Sequence, residues 1–248
     1  MVTLGVDFAA QSKNTALCQM HWQGGSAEVT LLEVGVTDER ILVLSEQADK
    51  VGLDVPFGWP GAFVNSVAAH RDGAPWPEQS QRQLRYRATD HFVHTATGKW
   101  PLSVSTDRIG ITAFRAASLL SRLALAGEAV DRTGAGKFVE VYPAGAVRRW
   151  GLGPATRKDT AALADKVASH CARWLGLTEE VKTRCATKRD ALDALVASMI
   201  ARAAAVGLCE PIPASRAEDA KSEGWIALPL PDSLDQLAGR TLGKTWLI

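Results

Sequence analysis

The chain has 248 residues, 46% of them apolar and 22% charged, a composition that fits a folded globular protein and excludes a disordered one. Twenty-eight Lys and Arg against 27 Asp and Glu leave a formal charge of +1, which excludes a wholly basic binder of nucleic acid or anionic membrane. The balance is uneven: bases and acids number three and eight in residues 1–60, eight and six in 61–131, twelve and five in 132–189, and five and eight in 190–248.

No apolar run reaches the roughly 18 residues of a membrane span. Met1–Phe8 has no basic leader and Asp7 interrupts it, so the expectation is a cytoplasmic protein with no membrane segment. Cys18, Cys171, Cys185 and Cys209 are widely spaced without a CxxC pair, which points to reduced thiols rather than a disulfide framework or zinc cluster.

Alternation and short turns predict strands at Val2–Ala9, Thr15–Trp22 and Glu28–Val34, an antiparallel meander. Thr37 reads as the N-cap of a helix with Ile41, Leu42, Leu44 and Ala48 on its apolar stripe, and Val51–Val55 as a strand buried in the sheet, giving βββαβ. A helix is expected from about Ala62 to His70. Residues 72–106, polar and rich in Pro and Arg, read as an insertion. Ser105-Thr106-Asp107 offers caps for a helix through Ile111, Phe114, Leu119, Leu120 and Leu123 that Gly127 ends. Phe138–Tyr142 reads as a strand, and helices follow at about 158–175, 178–185 and 188–206. Residues 210–224 look like loop, with a late strand at Trp225–Leu228. The expected organisation is one domain over 1–248, the 72–106 insertion, and a C-terminal extension from about 210 to 248.

Two acids interrupt apolar strands. Asp7 lies on the alternate face from Leu4, Val6 and Phe8, and Asp54 sits between Leu53 and Val55. If the two strands are parallel neighbours, the carboxylates lie roughly 5 Å apart and repel unless a cation sits between them. Each acid could instead cap the loop or helix that follows it. Asp190 and Asp193 share a helix face with Ala194, Ala197 and Ala201, and that small-residue face permits close approach to a sheet. The competing reading makes Thr187-Lys188-Arg189-Asp190 a capping box.

Gly5-Val6-Asp7-Phe8-Ala9, Leu53-Asp54-Val55-Pro56-Phe57-Gly58-Trp59-Pro60, Pro101–Gly110, Glu140-Val141-Tyr142-Pro143-Ala144 and Asp190-Ala191-Leu192-Asp193-Ala194-Leu195 together resemble domain-of-unknown-function family 429, whose members are described as predicted RNase-H-like nucleases. The resemblance spans about residues 2–228. It implies an RNase-H-like α/β fold, a mixed five-stranded sheet in the order 3-2-1-4-5 flanked by helices, with the insertion between the fourth and fifth strands. Similarity to Holliday-junction resolvases implies that Asp7, Asp54, Asp190 and Asp193 are catalytic and hold two Mg²⁺ or Mn²⁺ ions for phosphodiester hydrolysis. Asp54 stands where resolvases carry the longer Glu.

Glu140 alternates with Val139 and Val141, as an auxiliary ligand or as the partner of a basic residue. Arg87, Asp90, Ser105 and Asp107 of the insertion are candidate contacts to a phosphate, or a loop stapled by its own Arg–Asp pairs. Lys13 on the first hairpin and Trp59 beside Pro60 are further candidate substrate contacts. Thr133-Gly-Ala-Gly-Lys137 lacks the spacing of a P-loop, and His91 and His94 have no third ligand. The leading expectation is therefore a metal-dependent phosphodiesterase or nuclease acting on nucleic acid or a nucleotide-like substrate. The alternatives are a non-catalytic binding module for nucleic acid, nucleotide or protein, and an enzyme acting on a small metabolite.

Overall fold

The computed structural model describes residues 1–78, 80–153 and 159–240. Strands β1 (Val2–Asp7), β2 (Ala16–Gln23) and β3 (Ser26–Val34) form the antiparallel meander, with Gly24 and Gly25 turning the second hairpin at φ 59° and 81°, where a side chain would strain the backbone. Helix α1 (Asp38–Glu46) is capped by the Thr37 hydroxyl, which accepts from the Arg40 N–H, and its crossover brings β4 (Lys50–Asp54) parallel to β1. β5 (Phe138–Glu140) pairs parallel with β4.

The expected five strands become six. Leu175–Gly176, where the helix expected to about residue 175 ends, forms β6 and pairs parallel with Ala27 and Glu28 of β3. The sheet order is β5-β4-β1-β2-β3-β6. Two residues at an edge have no period to betray them in sequence.

The helices are α2 (Gly61–Arg71), α3 (Gln81–Arg85), α4 (Ala88–Thr97), α5 (Gly110–Leu125), α6 (Pro143–Arg149), α7 (Thr160–Cys171), α8 (Glu179–Thr187), α9 (Arg189–Ala205) and α10 (Ala217–Glu223). The insertion thus carries two helices, and part of the expected loop at 210–224 is α10. Trp225–Leu228 contributes a single bridge, Ile226 to Glu140, rather than a strand. The Ser105–Asp107 cap of α5 is not formed, because its N-cap is Ile109. Ile111 and Phe114 of the expected helix are 67% and 66% exposed, and it is Ala116, Leu119, Leu120 and Leu123 that join the core against the sheet. The expected helix start at 158 and positions 241–248 of the extension lie outside the described residues.

Alternation sorts the sheet into two cores. Leu4, Val6, Leu17, Val51 and Leu53 face α1 and α5, while Ala16, Cys18, Met20 and Trp22 face the layer of α6 to α9. Apolar on every side, α9 lies buried between the sheet and its neighbouring helices. All four cysteines are free, and no helix among the described residues is long and apolar enough to cross a membrane.

Lys50 opens β4 and is 2% exposed, its Nζ donating to the carbonyls of Gly134 (2.7 Å) and Gly136. Burial pushes its ammonium down to about 8, from an ordinary 10.5. A depressed folded-state value means the folded protein holds the proton less tightly than the unfolded chain. Stability on this account is therefore full above pH 10.5 and is lost as pH falls through 8, by on the order of 3 kcal/mol. Lys50→Met is expected to flatten the rise in denaturation free energy between pH 8 and 10.5. An unchanged slope in urea titrations at several pH values would contradict the assignment.

Candidate active site

Because β1 and β4 run parallel and in register, Gly5 lies opposite Gly52 and Asp7 opposite Asp54. Leu4, Val6, Val51 and Leu53 go to the α1/α5 side, which leaves both glycines and both acids on the α9 side. There a Cβ on Gly5 would stand 2.1 Å from the Ser198 nitrogen, and one on Gly52 would stand 2.7 Å from the Ala197 oxygen. The paired glycines are the groove in which the Ala194, Ala197 and Ala201 face of α9 rests, and two residues further along each strand the acids emerge at the first turn of that helix. The capping-box reading of Asp190 fails: Thr187 ends α8 and donates to the Thr183 carbonyl, and the α9 N-cap is Lys188 without a side-chain cap.

Asp7, Asp54 and Asp190 line one pocket of about 500 Å³. Burial holds the Asp54 carboxyl well above its ordinary range, and the charges of Asp7, Asp193 and Glu140 push it further in the same direction. The Tyr142 hydroxyl, also lining the pocket, is raised by burial and then by Asp54, so it remains a neutral donor at any physiological pH. Asp193 is engaged by Arg189, whose Nε donates to Oδ2 at 2.7 Å.

The other expected contacts divide. Arg87 and Glu140 reach the pocket wall but grip one another, Nη1 to Oε2 at 2.8 Å and Nη2 to Oε1 at 2.6 Å. Arg87 also binds Asp90, Nη2 to Oδ1 at 3.0 Å, and all three side chains are at most 2% exposed. Glu140 further accepts from the Phe57 N–H at 2.9 Å. Of its two readings, partner of a basic residue is the one this geometry displays. Ser105 donates to the Leu84 carbonyl, while Asp107 accepts from the Ser103 N–H and faces Arg85 at 3.6 Å, which is the stapled loop. Lys13 is exposed on the 3₁₀ turn Ser12–Asn14, and Trp59 stacks on Phe114 with centroids 5.8 Å apart; neither lines the pocket.

Among the polar lining residues, Asn14, Arg108, Thr112 and Tyr142 were not read as site residues from the sequence. Tyr142 had a signal, since it lies two residues beyond Glu140. Arg108 adjoins Asp107 in a quoted motif.

The family described as protein of unknown function DUF429 matches residues 5–218, which includes every acid of the site. The chain belongs to the DUF429 family. No curated protein and no solved structure matches it. In this DUF429 chain no group of three or more His, Cys, Asp or Glu among the described residues is close enough to hold a metal ion together. Asp7 and Asp54, in register on neighbouring strands, are an all-oxygen donor pair. That suits a hard cation such as Mg²⁺, which takes one or two carboxylates and completes its shell with water and substrate oxygens.

Proposed function

We propose that this DUF429 protein is a metal-dependent phosphodiester hydrolase, of the nuclease class, built on an RNase-H-like sheet. The observation that carries the reading is the in-register pair Asp7 and Asp54 at the carboxyl ends of adjacent parallel strands, opening into a pocket that Asp190 shares. The run β3-β2-β1-β4-β5 within the six-stranded order supports the RNase-H-like assignment. Repulsion between two partly buried carboxylates, which the Arg189 charge opposes as the smallest of the influences on Asp54, supports a cation beside them.

Asp7 and Asp54 would hold Mg²⁺ or Mn²⁺, with Asp190 and Asp193 contributing to a second ion once Asp193 leaves Arg189. The bound ions supply Lewis-acid stabilisation of a phosphoryl oxygen and a water of lowered pKa. Tyr142, kept protonated, donates a hydrogen bond to the substrate. Asp190 stands at the pocket to take the proton of the attacking water. Water oxygen bonds to phosphorus, the bond from phosphorus to the ester oxygen breaks, and the proton taken up by Asp190 passes to that oxygen, which leaves as an alcohol. Free thiols suit a reducing, cytoplasmic setting.

The test is an assay of purified protein with Mg²⁺ or Mn²⁺ on chromogenic diesters, nucleotides, RNA and DNA. Cleavage is expected to need the metal and to fall about 10³-fold in Asp7→Asn and Asp54→Asn, whose melting temperatures are retained or raised because a repelling charge is gone. No cleavage of any substrate overturns the reading. The Arg189–Asp193 ion pair favours a second reading, a binding module without catalysis, which calorimetry would select by detecting no divalent-metal binding.

A further inference from the structure

The pocket volume of about 500 Å³ falls within the ~300–1,000 Å³ of small-molecule sites. Pro101, Leu102, Arg108, Ile109 and Thr112 line it together with residues from the strand ends. Two cations line it, and Arg87 is committed to Asp90 and Glu140. Arg108 is exposed and has no ion-pair partner among the described residues; its neighbour Asp107 is taken by the Ser103 N–H and faces Arg85. The first turn of α5 carries no acid and no side-chain cap, and Ile109 and Thr112 from that turn face the same space, so the helix dipole adds to the Arg108 charge. Leu102, 59% exposed, and Ile109 supply an apolar ledge beside it. A long nucleic-acid backbone is held through roughly six to ten phosphate contacts. This site offers one uncommitted guanidinium.

We propose that the substrate is a compact phosphodiester of about one nucleotide, its anionic group bound by Arg108 and its base or other apolar part lying on Leu102 and Ile109, and that a duplex is not the substrate. The fate of the ester rests on the hydrolase reading; its recognition does not.

Two probes separate the two claims: thymidine 5′-monophosphate, titrated by calorimetry in Ca²⁺, and its p-nitrophenyl ester, followed by nitrophenol release in Mn²⁺. Arg108→Ala is expected to weaken the monophosphate by about tenfold or more and to raise KM for the ester by a similar factor with a smaller change in kcat. Its melting temperature stays unchanged because the side chain is exposed. Arg108→Lys is expected to recover part of the binding. No detectable monophosphate binding, or binding equal in wild type and Arg108→Ala, overturns the proposal. A duplex oligonucleotide cut faster than the ester also overturns it while the hydrolase reading stands. Arg108-dependent monophosphate binding without cleavage of any substrate supports it while the hydrolase reading falls.

Discussion

Arg87→Met is expected to destabilise the protein by about 3–5 kcal/mol, enough to unfold a large fraction of molecules if total stability is in the usual range of ~5–15 kcal/mol. Methionine keeps much of the side-chain volume, so the loss is electrostatic. The guanidinium is shared between Asp90 and Glu140, neither more than 2% exposed, and Arg87 also donates to the Glu223 carbonyl at 3.1 Å. Burial already pushes the Glu140 carboxyl up, and the Arg87 charge and hydrogen bond oppose that push. Without Arg87, both acids must protonate or remain as uncompensated buried charge. Arg87→Lys is expected to fail as well, because one ammonium cannot serve two carboxylates with the planar fork of an arginine. Changing the acids with the base, as Arg87→Met with Asp90→Asn and Glu140→Gln, is expected to restore part of the loss. Urea denaturation checks all three variants, and a single Arg87→Met within about 1 kcal/mol of wild type would refute the cluster as a stabilising unit.

Gly5→Ala is expected to cost about 3 kcal/mol or more, at the top of the range for overpacking, because the added carbon meets backbone. The Ser198 nitrogen and Ala194 oxygen would stand 2.1 and 2.3 Å from it, and neither can turn aside without moving α9. That helix packs on β1, β2 and β4 and is fixed further by the Ser198 and Thr3 hydroxyls, 2.7 Å apart. Any accommodation therefore lifts Asp190 from Asp7 and Asp54, and activity is expected to fall together with stability. Gly239→Ala is the control: its Cβ would meet nothing within 4 Å, and less than about 1 kcal/mol is expected. Equal denaturation midpoints for the two alanine variants would refute the close-packing argument.

The features legible in sequence were those with a local signature. Period-two alternation marked β1 and exposed Asp7 as an intruder. The small residues of α9 announced its close approach to a sheet, although not that Gly5 and Gly52 receive it. What stayed hidden depends on partners distant along the chain. Arg87, Asp90 and Glu140 were each seen as candidate contacts, yet nothing local reveals that Arg87 closes on Glu140 across 53 positions. Helix α4 was obscured by its Thr and His content, whereas Ile111 and Phe114 stand off the face of α5 that carries Leu119, Leu120 and Leu123 and so point outward. Arg108 has no period at all, and its interest lies in the partner it lacks.

Glu223 accepts from the Gly61 N–H and the Ala88 N–H, both at 2.7 Å, so one carboxylate sits at the starts of α2 and α4, while Ile226 lines the pocket and its N–H donates to Thr89. During synthesis the sheet and α9, which carry all four acids, exist before this segment has been made. The nascent chain must then hold Arg87 and the entrances of two helices half satisfied until residues 217–228 arrive. The strands and helix that bring the acids together are thus made before the segment that completes the pocket wall, and the pocket is whole only once Glu223 and Ile226 are in place.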